Sequence, residues 1–270
     1  LPVFLFMIST AISVFPSDFE IRVGIVAPVT GDAAEFGRSV YNGISLYLDR
    51  INESGGVDGM TIRYLLRDDK GNPWTGAEAF TKLIAEDRVS VIIGTVMSSV
   101  SIAGAPIAQG KGIPMVSPTS TNPAVTMVGN CIFRACFIDP YQGNVAAWYA
   151  INHLKARTAA CLFDTGDDFT KGLARTFRER FEGAGGIITA FEGYPSGTMD
   201  WSGQLSRIAE SDPDVLVLPD YYDDAGRIAR QARGMGIRSQ LIGGDGWDSP
   251  ALFELGVDAI EGGVFVNHYS

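Results

Sequence analysis

The sequence predicts an α/β protein with two lobes, each built on a parallel sheet that helices cover on both faces. After residue 20, short β-branched apolar runs alternate with helix-length amphipathic runs to the end of the chain. Alternation of this kind is typical of parallel sheets. It occurs in two successive series, which we separate at Asp139-Pro140, and 270 residues are enough for two domains.

The first series is predicted to have the order βαβαβαβ over residues 21–138. It opens with the apolar run IRVGIVAPV, and the helix that follows carries one apolar stripe at helical spacing. Asn72 is the expected N-cap of a second helix, with Pro73 in its first turn. A third helix is predicted over 99–110. The remaining predicted strands are TIRYLLRDD, VSVIIG and GIPMVS.

The second series is predicted over residues 139–264. Its expected helices cover 142–154, 169–184, 201–209 and 223–234. Its expected strands cover 158–163, 186–194, 215–218 and 240–243, and a last strand is GGVFV. Open α/β sheets bind ligands at the carboxyl ends of their strands, so we expect the functional residues in the loops that follow these strands.

The N-terminal run LPVFLFMISTAISVF is apolar and uncharged, and the chain turns polar from Ser17. The run is too short to span a bilayer comfortably and is typical of the apolar part of a secretory signal. We therefore predict that residues 1–20 are a partial signal peptide and that the protein is periplasmic or otherwise extracytoplasmic. A buried N-terminal strand is the alternative.

Charge and cysteine content exclude several classes of function. The net charge is −10, so no basic surplus exists to neutralise the phosphates of a nucleic acid. Three cysteines, Cys131, Cys136 and Cys161, give no disulfide framework, and we expect three buried thiols. The pair Asp68 and Asp69 lacks the further oxygen ligands of a calcium loop. We predict no metal and no cofactor.

The loops of the first lobe offer hydroxyl groups rather than charges. Ser98 and Ser99 come at the start of a predicted helix, where free backbone N–H groups attract an anion. The loop SPTSTNP adds Thr119, Ser120 and Thr121 after the next strand. These two hydroxyl-bearing loops, which follow adjacent strands, could together hold one carboxylate without Arg or Lys. The alternative for each residue is plain helix capping.

The loops of the second lobe offer carboxylates and aromatic rings. Asp245 lies between glycines directly after an apolar strand, where it could receive an ammonium group in a charge-assisted hydrogen bond. A turn-forming Asp is the alternative. Tyr221 and Tyr222 follow the strand VLVLPD and could reach the same site. The candidate walls are Phe36, Phe169 and Trp247, although single aromatic residues are more often part of the core.

Several motifs in order carry a resemblance: GIVAPVTGDAAEFG, RDDKGNP, VIIGTVMSSVS, GIPMVSPTSTNP, DTGDDFTKGL and VLVLPDYYDD. With them the chain resembles the type I periplasmic binding proteins, and most closely the branched-chain amino-acid (leucine/isoleucine/valine) binding family of ABC importers. This resemblance implies two Rossmann-like lobes joined by hinge strands that close on a small solute. It also implies a monomer that serves an ABC permease in the membrane.

The resemblance also implies roles for individual residues. Ser98 matches the serine that binds the ligand carboxylate, and Tyr221 and Asp245 match the residues that receive the ammonium group. The loop of Thr119, Ser120 and Thr121 matches one that adds backbone and hydroxyl contacts. Phe36 and Phe169 stand where the family usually has Tyr, which suggests an apolar ligand group. Met97, next to Ser98, is a further candidate contact.

The leading hypothesis is therefore an extracytoplasmic binding protein for an apolar α-amino acid. The alternatives are the same fold with an aromatic acid or a small amide, and the ligand-sensing domain of a receptor. An enzyme is disfavoured because only His153 and His268 could serve as imidazole bases and no cofactor fingerprint occurs. The family's chain returns to the first lobe, whereas residues 265–270 only begin such a return. We therefore expect exposed apolar surface and low stability.

Overall fold

The computed structural model describes residues 20–268, in which two five-stranded parallel sheets follow one another. The first sheet has the strand order β2-β1-β3-β4-β5. Its strands are β1 (Glu20–Ala27), β2 (Thr61–Asp68), β3 (Val91–Ile93), β4 (Met115–Ser117) and β5 (Ile132–Arg134). Its helices are α1 (Ala34–Glu53), α2 (Pro73–Ala85) and α3 (Ser98–Gly110). The predicted parallel pairing is confirmed for every pair of neighbouring strands.

The second sheet has the strand order β10-β9-β8-β6-β7 and is also parallel throughout. Its strands are β6 (Thr158–Asp164), β7 (Ile187–Tyr194), β8 (Val215–Val217), β9 (Gln240–Gly243) and β10 (Val264–Phe265). Its helices are α4 (Asp139–Asn152), α5 (Asp168–Gly183), α6 (Ser202–Ser211), α7 (Tyr222–Gly234) and α8 (Ala251–Gly256). The α/β fold class is thereby confirmed.

Side-chain alternation along the strands creates two cores in each half. In β6, Ala160 and Leu162 belong to one buried cluster, while Cys161 and Phe163 belong to the cluster on the opposite face, as a period of two residues requires. The two faces of the first sheet have cores of different size. Phe80 and Leu83 belong to a large buried cluster on one face, and a small cluster that includes Leu48 covers the other.

Side-chain caps fix where two helices begin. The Asn72 carboxamide oxygen accepts hydrogen bonds from Trp74 N at 2.9 Å and Thr75 N at 3.2 Å, as the Asn-Pro pair predicts. Asp167 caps α5 in the same way through Phe169 N and Thr170 N. Such caps satisfy backbone donors that a helix leaves free and contribute about 1 kcal/mol each. Both caps come directly after strand ends, so they also orient the loops that line the cleft between the two sheets.

Some elements differ from the prediction. The short strand β5 and the helix α8 are not predicted from the sequence. The helix start expected before Pro123 is a 3-10 turn (Pro123–Val128), which the Asn122 carboxamide caps by accepting from Ala124 N at 2.9 Å. The expectation of three buried thiols is wrong for Cys131 and Cys136, which are only partly buried, because β5 covers only Ile132–Arg134 and leaves one cysteine before it and the other after it. Cys161 is buried in β6 as expected, and all three thiols are free.

The predicted boundaries at 21–138, 139–264 and 265–270 stay predictions, although α4 does begin at Asp139. The proposed signal segment lies outside the described residues except for Glu20, which begins β1. Within residues 20–268, none of the helices combines the length and the apolar character that crossing a membrane requires. Among the described residues, large apolar side chains that are more than half exposed occur in both halves, including Leu46, Tyr47, Trp74 and Met127 in the first, and Tyr141, Trp148, Ile187, Met199 and Phe253 in the second.

Candidate functional site

A cavity of about 400 Å³ lies between the loops of the two sheets. Its walls come from the carboxyl ends of β3 and β4 on one side and of β6, β8 and β9 on the other, with α1 closing a third side. Seven predicted residues line it: Phe36, Ser98, Thr119, Thr121, Phe169, Tyr221 and Asp245. The structure thus brings together residues that are up to about two hundred positions apart in the chain.

The first-sheet wall consists of small hydroxyl side chains. Ser98 is the first residue of α3, is 1% exposed, and accepts a hydrogen bond from Asn122 N at 3.2 Å. This bond leaves the proton of the Ser98 hydroxyl free to be donated. Thr119 donates to the carbonyl of Val96 at 3.1 Å. Thr121 is held by its carbonyl, which accepts from Asp139 N at 3.0 Å. Together with the free N–H groups at the start of α3, this wall offers donors to an anion.

Ser120 belongs to a network beneath this wall and does not line the cavity. Its hydroxyl lies 2.8 Å from the Ser101 hydroxyl and 3.1 Å from the carbonyl of Thr95. Its backbone N–H donates to the Ser117 hydroxyl at 2.9 Å. Arg134 adds a hydrogen bond to the carbonyl of Ser120 at 2.7 Å. These hydroxyl groups therefore hold the loop in shape rather than face a ligand.

The second-sheet wall presents the carboxylate of Asp245, which Gln142 positions. The Gln142 carboxamide donates to Asp245 Oδ1 at 3.0 Å and accepts from Asp245 N at 3.0 Å. Gln142 is fully buried in α4, so this pair of bonds is shielded from water. His268 Nε2 lies 3.1 Å from Asp245 Oδ2, and its ring stacks on Phe137 with centroids 3.8 Å apart.

Our sequence reading missed both Gln142 and His268 as parts of the site. Gln142 lies 103 positions before Asp245, and nothing in the surrounding YQGNV marks it as more than a helix residue. The sequence marks His268 only as a candidate imidazole base. The parallel order of β8, β9 and β10 could have placed it near Asp245, because their carboxyl ends meet at one edge of the sheet.

Aromatic rings form the apolar part of the cavity. Tyr221 lies between Phe36 and Phe169, with ring centroids 6.3 Å and 5.1 Å away. Burial raises the pKa of Tyr221 well above its usual range, and the charges of Asp167 and Asp245 raise it further. Tyr221 is therefore a neutral hydroxyl at every ordinary pH and can donate or accept a hydrogen bond.

The other predicted aromatic residues have different places. The expectation that Trp247 forms a wall is wrong: its ring lies in the core of the second half, 1% exposed, and its Nε1–H donates to the carbonyl of Leu218 at 3.0 Å. The indole fills the space above Gly243, where a Cβ would meet the ring. Tyr222 donates its hydroxyl proton to the carbonyl of Asp32 and so bridges the two halves.

Met97 and Ser99 lie at the border with a second cavity rather than on the wall of the first. Ser99 connects the two halves, since its hydroxyl donates to Asp167 Oδ2 at 2.7 Å and accepts from Asp168 N at 2.8 Å. Asn122 adds a second bridge through its carboxamide, which donates to the carbonyl of Asp168 at 2.8 Å. These contacts hold the loops of the two sheets against each other.

The site has more buried carboxylates than cations. Asp139 is 1% exposed, and neither of its carboxylate oxygens meets a hydrogen-bond donor in good geometry within the described chain. Burial raises the pKa of Asp139 to about 7, and the charges of Asp245 and Asp167 add to the rise that the nearby Thr121 hydroxyl opposes. Between residues 20 and 268, no three His, Cys, Asp or Glu side chains are grouped so as to hold a metal ion.

Comparisons with known proteins agree with this architecture. A family model described as periplasmic binding protein matches residues 20–270. The Leu/Ile/Val-binding protein BraC3 of Rhizobium johnstonii is 32% identical over 249 residues, which are 92% of this chain and 67% of that protein. The chain thus spans about two thirds of the length of this relative.

Two solved structures have the same fold. The leucine-binding protein LivK of Thermotoga maritima superposes with a TM-score of 0.88 at 36% identity, over 93% of this chain and 70% of that one. LivJ of Streptococcus pneumoniae, a branched-chain amino-acid transporter substrate-binding protein solved with isoleucine, gives 0.82 at 32% identity over 88% and 68%. Fold, family model and relatives agree, and the chain therefore belongs to the type I periplasmic binding proteins, in the branched-chain amino-acid binding family of ABC transporters.

Proposed function

We propose that this chain binds an apolar α-amino acid of the leucine, isoleucine and valine class and delivers it to an ABC permease. The observation that carries the proposal is the polarity of the cavity of about 400 Å³. One wall offers only hydrogen-bond donors without charge, and the opposite wall offers a carboxylate. An α-amino acid carries a carboxylate and an ammonium group on one carbon, so it complements both walls at once.

Each end of the ligand has its own partners. The hydroxyls of Ser98 and Thr121, with the N-terminus of α3, receive the ligand carboxylate. Thr119 lines this wall, but its hydroxyl proton is already donated to the carbonyl of Val96. Asp245 and Tyr221 receive the ammonium group. Charge-assisted hydrogen bonds of this kind are worth about 1.5–3 kcal/mol each in a buried site. Gln142 fixes Asp245 in place before the ligand arrives, which reduces the entropy lost on binding.

The rings of Phe36 and Phe169 receive the apolar side chain of the ligand. Burial of a leucine side chain contributes about 1.5–3 kcal/mol. A polar ligand side chain would gain nothing comparable, because neither Phe ring carries a hydroxyl with which to bind it. The bridges from Ser99 and Asn122 to the loop of Asp168 stabilise the closed arrangement. Closure about a hinge buries the ligand and lets a permease distinguish the loaded protein from the empty one. The protein acts in the periplasm as a monomer and performs no catalysis.

A second candidate ligand is an aromatic carboxylic acid. It is favoured by one observation: Asp245 already has two partners, Gln142 on Oδ1 and His268 on Oδ2. With both oxygens engaged, the second wall does not need an ammonium group from the ligand. A ring stacked against Phe169 and Tyr221 would then replace the aliphatic side chain.

A ligand panel separates the two candidates. The melting temperature of the chain is measured with leucine, isoleucine, valine, benzoate and urea at concentrations up to 10 mM. A ligand at one hundred times its dissociation constant stabilises the folded state by about 2.7 kcal/mol. A shift with the three amino acids and none with benzoate is the expected result. A shift with benzoate that exceeds those of the amino acids contradicts the proposal and supports the aromatic acid.

A further inference from the structure

A second cavity, of about 290 Å³, lies in the cleft beside the amino-acid pocket. We call it the acidic cavity. Its walls come from both halves: the loops around Lys70 and Met97 on one side, and the loops after β6, β7 and β8 on the other. Lys70 is the only cation among the described residues that line it, and it is exposed. The carboxylates that line it are Asp32, Asp164, Asp167, Asp220, Asp223 and Asp224.

Two of these carboxylates are satisfied by neutral donors. Asp164 accepts hydrogen bonds from Gly166 N at 2.7 Å and from the Ser196 hydroxyl at 2.8 Å. Asp167 accepts from the Ser99 hydroxyl and from the first N–H groups of α5. These bonds orient the carboxylates, but they bring no positive charge into the cavity.

Two others share one partly exposed arginine. Arg227 Nη1 lies 3.7 Å from Asp223 Oδ2 and 3.5 Å from Asp224 Oδ1, with 34% of its side chain exposed. At these distances the guanidinium offsets part of the charge of the pair. Asp224 Oδ2 also accepts the Tyr194 hydroxyl at 3.3 Å. The cavity still has a surplus of negative charge.

Asp220 is the carboxylate for which this arrangement does not supply enough hydrogen-bond donors. It is 2% exposed and lines the cavity. Its Oδ1 accepts a hydrogen bond from Asp164 N at 3.0 Å, whereas its Oδ2 meets no donor in good geometry within residues 20–268, although the Tyr194 hydroxyl lies near enough to lower the pKa of this carboxyl. Burial raises the pKa of Asp220 well above its usual range, and the charges of Asp224 and Asp164 raise it further. A buried carboxylate oxygen without a donor is costly unless a ligand supplies one.

The shape of the cavity indicates which class of ligand fits. A tightly coordinated metal ion does not, because the described residues include no group of three acidic, His or Cys ligands with the required spacing. The volume of about 290 Å³ accommodates several non-hydrogen atoms in addition to a charged group. An ammonium or guanidinium group can donate to oxygens that are too far apart to share one metal ion.

We propose that the acidic cavity binds a small organic cation, an alkylammonium or guanidinium ion, with Asp220 Oδ2 as its central acceptor and Asp164 and Asp224 beside it. This inference goes beyond the proposed function, since it involves neither Asp245 nor the hydroxyl wall. Because both halves line the cavity, a cation bound there also favours the closed arrangement of the lobes.

The test is a titration of the full 270-residue chain by calorimetry at constant ionic strength. Methylguanidinium chloride and butylammonium chloride are compared with sodium chloride and calcium chloride. The decisive variant is Asp220→Asn, which keeps the acceptor for Asp164 N but cannot ionise to pair with a bound cation. Asp224→Asn is the second variant, should Asp220→Asn fail to fold. The matched control is Asp212→Asn, an exposed residue in the left-handed region that Asn tolerates well.

The expected result is saturable binding of at least one organic cation to the wild type and to Asp212→Asn. Affinity falls at least tenfold in Asp220→Asn or in Asp224→Asn. Equal affinity in all variants, no binding up to 50 mM, or tighter binding of calcium than of both organic cations overturns the inference. Leucine is titrated in parallel. Leucine binding without cation binding contradicts only this inference, whereas cation binding without leucine binding contradicts only the proposed function.

Discussion

The two walls of the amino-acid pocket differ in charge and in how they are held. The first-sheet wall has no ionisable group, and its loop is fixed by the hydroxyls of Ser101, Ser117 and Ser120 beneath the surface. The second-sheet wall contains Asp245, fixed by one buried carboxamide from another helix. Under the proposed function, this difference divides the recognition of a zwitterion between the lobes, so neither lobe alone would complete the site.

The walls also differ in their electrostatic surroundings. Near the first wall, anion recognition relies on neutral donors and a helix N-terminus. The second wall lies close to two buried carboxyl groups, Asp139 and Asp167, and burial raises the pKa of each one. A bound cation would favour the ionised form of these carboxyls, and under the proposed function the carboxylate of Asp245 directs the ligand carboxylate to the first lobe by repulsion.

The largest expected effect is the loss of the charged wall. Asp245→Ala removes the acceptor of the ligand ammonium, and we expect leucine to bind about 100-fold more weakly, which corresponds to about 3 kcal/mol. Calorimetric titration measures it. Asp248→Ala is the matched control for charge, because this exposed carboxylate lies in the same loop at the rim of the same cavity and bonds to Asn267. Equal losses in both variants would show that general negative potential, not Asp245 itself, recognises the ammonium group.

The next effect concerns the contribution of the buried carboxyl group of Asp139 to the stability of the fold. The raised pKa of Asp139, about 7, means that the unfolded chain releases this proton from about pH 4 while the folded protein keeps it to about pH 7. The resulting penalty is absent below pH 4, grows up to pH 7 and stays constant above it. Asp139→Asn removes the penalty.

A shift of about three pKa units corresponds to roughly 4 kcal/mol. We expect a net gain of about 2 kcal/mol for Asp139→Asn at pH 8, because the buried Asn amide lacks partners too. Urea unfolding at pH 4 and pH 8 measures the gain. Asp258→Asn, on an exposed turn, is the control and should change neither value. A pH-independent effect of Asp139→Asn would contradict a raised pKa.

A smaller effect tests the neutral wall. Thr121→Val removes one hydroxyl of the cavity at nearly constant volume, and we expect leucine to bind about tenfold more weakly because one charge-assisted hydrogen bond is lost. Thr81→Val on the exposed face of α2 should leave the affinity unchanged. If Thr121→Val binds leucine as tightly as the wild type, the carboxylate lies elsewhere in the cavity.

The smallest effect on binding separates the wall from the network beneath it. Ser120→Ala removes hydrogen bonds to Ser101 and to the carbonyls of Thr95 and Val96. We expect a loss of about 1–2 kcal/mol in the free energy of unfolding and a change in leucine affinity of less than about threefold. Urea unfolding and calorimetry together measure both. A large affinity loss without a stability loss would place this hydroxyl in contact with the ligand.

Local patterns in the sequence were enough to predict the alternation of strands and helices and the loops that meet in the cleft. Asn72-Pro73 and the apolar stripe of α1 are signals within one or two helical turns, and both correspond to the observed elements. The elements β5 and α8 escaped because neither IFR nor ALFELG forms a continuous β-branched run of the kind that marks the equally short β3 in VSVIIG, and α8 is too short for an apolar stripe.

Long-range contacts decide what the sequence could not predict. Ser120 and Thr121 are adjacent hydroxyl residues, yet they have different places in the structure. The Ser120 hydroxyl belongs to the buried network with Ser101, whereas Thr121 lines the cavity. Trp247 fills the core because Gly243 leaves space for its ring, a pairing visible only after folding. The unsatisfied oxygen of Asp220 depends on neighbours more than fifty positions away.

The most direct test of the divided recognition compares leucine with its two half-ligands. Calorimetric titrations with leucine, 4-methylpentanoate and 3-methylbutylamine vary one charged group at a time on nearly the same carbon skeleton. We predict that leucine binds at least about 100-fold more tightly than either half-ligand, because each one leaves a wall without its charged partner. Binding of 4-methylpentanoate within about threefold of leucine would contradict the account, since the second wall would then contribute nothing to recognition.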